Sequence, residues 1–314
     1  MDEMAIFALL IVIIFCTLAY QKYKERYYAF KSETLDVDNF FFKDVKHLNL
    51  SMKRKIWIHL PIERNARKWE HFGSRSSYDL NIDYMVLCIK SIIDYCGQYY
   101  DVILFDDSNI STLLPDQNVD YEKLSGDLLD KYRQKSLLQI LYDYGGVMMP
   151  PSMYLRNTIY NIDKTNTFYV SEIPNQGEHS TTQNMIYSTK LMGSNKQNPI
   201  LGEYIRSYSD MCLKDLTNES NYFSDQLLKK MNIPLLNGVL IGTRDKNNHP
   251  IRLEDLMESR TIELNPSHVG IYIPHDELMR RTKYNWYAYL TSEQVLEANV
   301  FLSKYMLEHG KSKI

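Results

Sequence analysis

The stretch DLLDKYRQKSLLQILYDYGGVMMPPSMYL, residues 127–155, decides the fold of this chain. Its apolar side chains recur every three or four positions up to Tyr144, which predicts a helix that starts at residues 125–127 and buries one face. Gly145 ends that helix, because glycine takes positive φ without strain, and the apolar run 147–149 predicts a buried strand. We therefore expect a helix, a tight glycine turn and a core strand in succession.

Strands and helices alternate on both sides of this stretch. Apolar runs predict strands at residues 56–60, 102–105, 168–172 and 239–242. Between the first two, residues 85–96 place their apolar side chains on one helical face. The alternation predicts an α/β domain with a mainly parallel sheet flanked by helices, in which ligands bind at the carboxyl ends of the strands.

The chain closes with a further predicted helix. Thr291 and Gln294 form a capping-box pattern at its start. The side chains predicted to dock this helix on the domain are Val295, Leu296, Asn299, Leu302 and Met306.

Composition and charge narrow the function. An apolar share of 44% is that of a folded protein, and 36 basic against 39 acidic residues leave a net charge of −3. This balance offers no general attraction for nucleic acid, so we expect no nucleic-acid partner. Four cysteines show no metal-ligand spacing, and His59 and His275 are not paired as metal ligands are, so no zinc-type metal site is predicted.

The N-terminal residues predict a single transmembrane helix. Residues 4–20 carry no charge and, at about 1.5 Å of rise each, are just long enough to cross a bilayer. A cleaved signal peptide is the alternative, although Asp2 and Glu3 stand where a signal has basic residues. Four basic residues between 22 and 31 predict a cytoplasmic domain. The predicted organisation is a membrane anchor, a linker, the α/β domain and the closing helix, at residues 1–30, 31–54, 55–290 and 291–314.

The helix that ends in Tyr144-Gly145-Gly146, followed by an apolar strand, resembles the central signature of the GT-A glycosyltransferases with a sugar-binding Asp-x-Asp region, the family of capsular-polysaccharide and mannosyl transferases. A Trp-bearing first strand and a second strand ending in Asp106-Asp107 stand in the family's order. The resemblance covers roughly residues 55–155. It implies a GT-A-like fold, a nucleotide-sugar donor, and a glycan, lipid or protein acceptor.

A second likeness rests on motif order along the chain. The order of these motifs also resembles that in a group of glycosyltransferase-like proteins of large DNA viruses. A virion-associated membrane is therefore an alternative location for this protein. The motifs are Trp57-Ile58-His59, Phe72-Gly73-Ser74-Arg75, Asp79-Leu80-Asn81, Phe105-Asp106-Asp107, Tyr144-Gly145-Gly146 and Arg281-Thr282-Lys283-Tyr284.

The donor-site residues of that family are replaced in this chain. Pro150 and Ser152 occupy the two Asp-x-Asp positions, and neither supplies the carboxylate that Mg²⁺ or Mn²⁺ prefers. The upstream helix of the family carries an Asp and an Arg that contact the sugar, and these positions are Gln134 and Leu137 here. A bound divalent metal is therefore doubtful.

Other residues become the candidates for donor binding and catalysis. Among the cations Arg75, Arg133, Arg280, Arg281 and Lys283, we favour Arg133 for the diphosphate, with a solvated helix face as the alternative. Asp106 and Asp107 follow a strand and could bind the nucleoside of the donor or a metal, with a turn or helix cap as the alternative. Glu172 is the candidate general base, with a surface carboxylate as the alternative. The residues predicted to bind the donor are Asp106, Asp107, Arg133, Gly145 and Gly146.

Two functions follow from these observations. The first is a membrane-anchored glycosyltransferase-like protein that transfers a sugar from a nucleotide-sugar donor with a modified, metal-independent site. The second is a catalytically inactive protein of this fold with a binding or structural role in a membrane-associated assembly. Architecture alone does not decide between them, because function depends on the site.

Overall fold

The structure is a computed structural model that describes residues 12–18, 20–21, 40–61, 82–117, 119–164, 167–175, 185–212 and 220–310. Within these ranges no helix is both long and apolar enough to cross a membrane. Most of the span predicted at residues 4–20 lies outside the described residues, as do the motifs at 72–75 and 79–81.

Six strands of the described residues form one mixed sheet. They are β1 (Arg54–Leu60), β2 (Tyr100–Asp106), β3 (Gly146–Met148), β5 (Phe168–Pro174), β6 (Met185–Ser194) and β7 (Leu235–Leu236). Their order across the sheet is β2-β1-β3-β6-β5-β7. β1 pairs parallel with β2 and β3, β5 pairs parallel with β7, and β6 is antiparallel to both of its neighbours. Only β6 is reversed, so the predicted mainly parallel sheet is confirmed.

Helices cover both faces of this sheet. The helices are α1 (Val45–Leu50), α2 (Asp83–Cys96), α3 (Asp107–Leu113), α4 (Gly126–Tyr144), α5 (Tyr160–Lys164), α6 (Pro199–Cys212), α7 (Ser220–Lys230), α8 (Gly238–Ile241), α9 (Leu253–Met257), α10 (His275–Arg280), α11 (Ser292–Glu297) and α12 (Phe301–His309). Successive residues of β1 point to opposite faces. Trp57 packs with α4, α6 and α7, whereas Ile56 and Ile58 pack with α2.

A two-stranded sheet and the closing helices form an outer layer over α2. β4 (Met153–Leu155) pairs antiparallel with β8 (Gly270–Tyr272). The predicted closing helix is two helices, α11 and α12, and the capping box at Thr291 is confirmed. Four of its predicted docking residues are buried, but Asn299 is exposed, because the chain leaves the helix at Ala298.

Two other predictions from the sequence are wrong. A strand is predicted at residues 239–242, but residues 239–241 belong to the short helix α8. Asn237 caps the first turn of this helix, because its side chain accepts a hydrogen bond from the Val239 amide. Part of the predicted linker belongs to the folded domain. The Phe42 amide donates to the Leu104 carbonyl at 2.7 Å, and Phe42 and Leu48 join the core, since burying these apolar side chains stabilises the fold.

The turn from α4 into β3 is confirmed at Gly145 and Gly146. Their φ angles are +68° and +115°. A Cβ on Gly146 would lie 2.4 Å from the Lys55 carbonyl oxygen, and one on Gly145 would lie 2.8 Å from the Lys196 amide. The Trp57 indole N–H donates to the Gly145 carbonyl at 2.9 Å. The two glycines therefore allow the backbone to approach both neighbouring strands.

We predict that Gly146→Ala lowers the free energy of unfolding by more than about 3 kcal/mol, because it combines a strained φ with a backbone clash. Gly126→Ala is the matched control. Gly126 also has positive φ, at +57°, but a Cβ there meets nothing within 4 Å, so a loss of about 1 kcal/mol is expected. Chemical denaturation measures both values, and equal losses would contradict the clash.

A buried histidine near the closing helices makes the stability depend on pH. Burial outweighs the hydrogen bond to Asn265 and lowers the pKa of His268 to about 4. The Nε2 atom of His268 lies 2.8 Å from the Tyr305 hydroxyl. Between pH 6.5 and 4 the unfolded chain therefore binds a proton that the folded chain does not, which makes the stability fall as the pH falls.

We predict that the thermal midpoint of the protein drops as the pH is lowered from 6.5 to 4.5. His268→Gln should reduce the slope of this dependence, because it removes one titrating group, while His275, whose pKa burial also lowers to about 4, keeps the remainder. Differential scanning fluorimetry across this range measures the slopes, and an unaltered slope in His268→Gln would refute the assignment.

Candidate functional site

The carboxyl ends of β1, β2, β3, β5 and β7 lie along one edge of the sheet, because these strands run in the same direction. The chain crosses from β1 through α2 to β2 on one side, and then through α4 to β3 on the other. The sheet therefore has a topological switch point between β1 and β3, the position where open α/β sheets bind ligands. Asp106, Asp107 and Glu172 lie on this edge, as predicted.

Gly145 and Gly146 lie at the opposite edge. Gly146 is the first residue of β3, and the strand runs from it toward Met148 and the carboxyl edge. Their conformations serve the turn described above. Their position at the opposite edge does not favour the predicted role of these two glycines in binding the donor.

Three side chains meet in a cluster at the carboxyl ends of β1 and β2, and β1 borders the switch point. Asp107, at the start of α3, accepts hydrogen bonds from Arg133 Nε at 3.0 Å and Arg133 Nη2 at 2.6 Å. His59, near the end of β1, lies 3.0 Å from the same carboxylate through Nε2. The three side chains are only 8–12% exposed. The predicted residues Asp107 and Arg133 are therefore in contact, and His59 joins them.

The charge of Asp107 is stabilised by this arrangement. Burial alone would raise the pKa of the Asp107 carboxyl, but the hydrogen bonds from His59 and Arg133 lower that pKa to about 2. The carboxylate is therefore ionised throughout the physiological range. Its contribution to stability is present above the ordinary carboxyl pKa and is lost as the pH falls toward 2.

Asp106 caps a helix. Its carboxylate accepts from the Ser108 amide at 2.9 Å and from the Asn109 amide at 3.2 Å, and the Asn109 side chain accepts from the Asp106 amide. This reciprocal capping box starts α3 and holds Asp107 in its first turn. Of the two interpretations open in the sequence, the structure shows the cap.

The carboxylate of Glu172, the candidate general base, accepts hydrogen bonds from two residues. One carboxylate oxygen accepts from the Gly238 amide and from Arg244 Nε, each at 2.8 Å, and the other accepts from Arg244 Nη2 at 2.9 Å. The side chain is 9% exposed. Both oxygens are thus engaged in this structure, and the role of Glu172 as a base stays a prediction.

Pro150 and Ser152, which the resemblance aligns with the Asp-x-Asp positions, build a turn. The Pro150 carbonyl accepts from the Met153 amide at 3.1 Å. The Ser152 hydroxyl donates to the Ile273 carbonyl at 2.8 Å, and the Ile273 amide donates back to the Ser152 carbonyl at 3.0 Å. Among the described residues, no group of three His, Cys, Asp or Glu side chains could hold a metal ion. Neither Pro150 nor Ser152 offers a carboxylate to a divalent metal.

A second charged cluster lies beside this turn. Lys190 of β6 forms an ion pair with Asp276 at the start of α10. The adjacent His275 lies 2.6 Å from the Tyr84 hydroxyl through Nδ1, and burial lowers the pKa of His275 to about 4, so the ring is neutral at pH 7. Sequence reasoning missed Lys190, because its place on the sheet depends on strand register.

The other cations considered from the sequence lie elsewhere. Arg281 pairs with Glu254 and Glu277, and Arg280 also pairs with Glu277. The Lys283 amine lies 5.1 Å from the centroid of the Tyr284 ring. Arg75 lies outside the described residues.

A cavity of about 220 Å³ opens at the amino edge, away from this chemistry. Asp163 in its wall accepts from the Tyr100 hydroxyl at 2.9 Å and the Tyr169 hydroxyl at 3.1 Å, and pairs with Arg54 at 2.7 Å. These contacts satisfy the buried carboxylate of Asp163 and join the starts of three strands. We place the candidate site at the carboxyl edge instead, because it combines the switch point with the charged clusters.

The chain is thus a mixed α/β protein with a central sheet flanked by helices, and this architecture fits a GT-A-like fold. No protein-family model and no curated protein sequence matches it. Its backbone is similar to that of GlyE, a glycosyltransferase from Streptococcus pneumoniae TIGR4, at 12% identity and a TM-score of 0.38, over 84% of this chain and 66% of GlyE.

Two other solved glycosyltransferases resemble the backbone. One, involved in the glycosylation of the major capsid of PBCV-1, matches at 9% identity and a TM-score of 0.32, over 58% of this chain and 81% of its own. The galactosyltransferase LgtC matches at 8% identity and a TM-score of 0.33, over 59% and 74%. At such values the similarity carries no argument about activity or ligands.

We predict that Asp107→Asn lowers the free energy of unfolding by about 3 kcal/mol, because it leaves Arg133 buried without its counter-charge. Glu263→Gln is the matched control and should cost less than about 1 kcal/mol, because Glu263 pairs with Lys246 on the surface. Urea denaturation of both variants measures the difference. A small loss in Asp107→Asn would show that the cluster does not stabilise the fold.

Proposed function

We propose that this chain is a glycosyltransferase-like protein that binds a nucleotide sugar at the carboxyl edge of its sheet and does so without a divalent metal. The observation that carries the proposal is the cluster of Asp107, Arg133 and His59 at the carboxyl ends of β1 and β2, next to the switch point between β1 and β3. Open α/β sheets bind nucleotides in this crevice. The resemblance of residues 55–155 to GT-A glycosyltransferases supplies the chemical class of the ligand.

Arg133 supplies a fixed cation at this crevice. Asp107 holds two of its guanidinium nitrogens, and the third, Nη1, lies 3.5 Å from Asp130, whose side chain is 63% exposed. In the proposed complex a phosphate contacts this side of the guanidinium while Asp107 keeps it in position. Arginine suits this role, since its planar fork binds a carboxylate and a phosphate at once.

A neighbouring residue on α4 offers a neutral donor. The Gln134 side-chain amide nitrogen is buried and has no hydrogen-bond partner within the described part of the chain. Gln134 occupies the helix position where the resembling family places a sugar-binding Asp. An unsatisfied buried donor is costly, and a hydroxyl of a bound sugar would satisfy it.

In a transfer reaction the acceptor hydroxyl must lose a proton, and Glu172 is the proposed base. Its carboxylate would have to exchange Arg244 for the acceptor before it could take a proton. The pair of Glu172 and Arg244 therefore also supports the second candidate function, a catalytically inactive protein that binds without turnover. The membrane anchor, the cytoplasmic location of the domain and a viral assembly are further proposals from the sequence.

We predict that the full-length chain, purified in a mild detergent, gains thermal stability with a uridine or guanosine diphospho-sugar in the presence of EDTA. A ligand in excess over its dissociation constant raises the midpoint by mass action. Arg133→Gln should abolish the shift, because it removes the charge that faces the phosphate. Differential scanning fluorimetry against a panel of donors, with EDTA or Mn²⁺, makes the measurement.

Arg206→Gln is the matched control, since Arg206 is exposed on α6, and it should retain the wild-type shift. If no donor in the panel raises the thermal midpoint of the wild-type protein, nucleotide-sugar binding is rejected. Binding without hydrolysis or transfer of any donor would favour the inactive protein over the enzyme.

A further inference from the structure

Strand direction brings Lys190 toward the first position that the resemblance aligns with Asp-x-Asp. β3 and β6 are antiparallel, with Gly146 opposite Ser194 and Met148 opposite Met192. Beyond this last pair the chain runs forward from β3 to Pro150, and β6 runs back to Lys190.

Lys190 lies in an irregular part of β6. The pairing of β5 with β6 shifts between Val170 and Ser171, which leaves residues 189–191 of β6 without partners on β5. Lys190 and Leu191 both lie beside Met153 and Tyr272, although neighbouring residues of a regular strand point to opposite faces. Irregularities of this kind redirect side chains next to active sites.

The Lys190 ammonium has an exchangeable partner. Asp276 pairs with it, yet the Asp276 side chain is 58% exposed, whereas that of Lys190 is 28% exposed. The carboxylate can therefore move into water at low cost, while the lysine stem stays packed against the sheet. An anionic ligand that enters the crevice would take the place of Asp276 on the ammonium.

The charge of Lys190 is secure at neutral pH. Burial alone would lower the pKa of the amine, but Tyr272 and Asp276 outweigh it and raise that pKa. The same ion pair lowers the pKa of Asp276. Lys190 is therefore a permanent cation beside Met153, which directly follows residues 150–152, where the resembling enzymes hold a metal.

We infer that Lys190 takes the place of the divalent metal and neutralises the diphosphate of a bound nucleotide, with Asp276 occupying the ammonium when the site is empty. The inference rests on the proposed function and adds the group that meets the charge of the diphosphate. A lysine is suited to this role as a compact point charge with three rotatable donors. Arg133 then faces the phosphates from α4, and Lys190 faces them from β6.

The test is calorimetric titration of the full-length protein with UDP and GDP in EDTA. Lys190→Met should weaken binding at least about ten-fold, because a charge-assisted hydrogen bond contributes that factor or more. Lys190→Arg should stay within about three-fold of wild type, since it keeps the charge. Asp276→Asn should tighten binding several-fold, because it removes the competing carboxylate. Lys246→Met, on an exposed surface pair, is the control and should bind as wild type does.

The outcomes distinguish a failure of this inference from a failure of the proposed function. If the wild-type protein binds UDP or GDP in EDTA and Lys190→Met binds equally well, Lys190 is not the counter-charge, while the proposed function stands. If wild-type binding requires Mn²⁺, a metal site exists, and both the inference and the metal-independent binding of the proposed function are wrong. If the wild-type protein binds neither nucleotide with or without Mn²⁺, the proposed function itself fails. Circular dichroism of Lys190→Met and its unliganded thermal midpoint establish that the variant is folded.

Discussion

The contact of Trp57 with the turn at Gly145 and Gly146 is the constraint on which the rest of the structure depends. The indole N–H binds the Gly145 carbonyl, and the missing side chain of Gly146 lets β3 approach the backbone of β1. This contact ties the end of α4 to the central strand and sets where β3 begins. Since β3 pairs with β1 on one side and β6 on the other, its starting point determines the register of both pairs.

The register in turn determines which charges meet at the carboxyl edge. The pairing of β1 with β2 brings His59 beside Asp107, which Arg133 of α4 also contacts, and the antiparallel pairing of β3 with β6 brings Lys190 toward the turn at Pro150. Burial of the Asp107 carboxylate without partners would be costly, but hydrogen bonds to His59 and Arg133 stabilise its charge and lower its pKa. The edge thus presents two cations, Arg133 and Lys190, and each is paired with a carboxylate. Asp130 and Asp276 are the exposed carboxylates of these pairs, which a ligand would replace in the proposed complex.

The two residues that the resemblance aligns with Asp-x-Asp have a structural role in this chain. Pro150 and Ser152 form the turn that joins β3 to the small β4–β8 sheet, and the Ser152 hydroxyl donates to the Ile273 carbonyl. Neither residue brings a carboxylate to the carboxyl edge. In the proposed arrangement a bound diphosphate meets the ammonium of Lys190 there, because hydrogen bonds between charged groups are strong where water is partly excluded.

The sequence by itself determined the elements and the class of fold. The apolar periods of residues 85–96 and 127–144, and the glycine turn after them, depend on local geometry that each segment carries alone. Residues 239–242 misled the prediction, since an apolar run of four does not distinguish a strand from a short helix capped by Asn237. The pairing of Asp107 with Arg133, the engagement of Glu172 by Arg244 and the position of Lys190 were decided only by the tertiary structure. Each depends on strand register and on contacts between residues far apart in the chain, which no local pattern specifies.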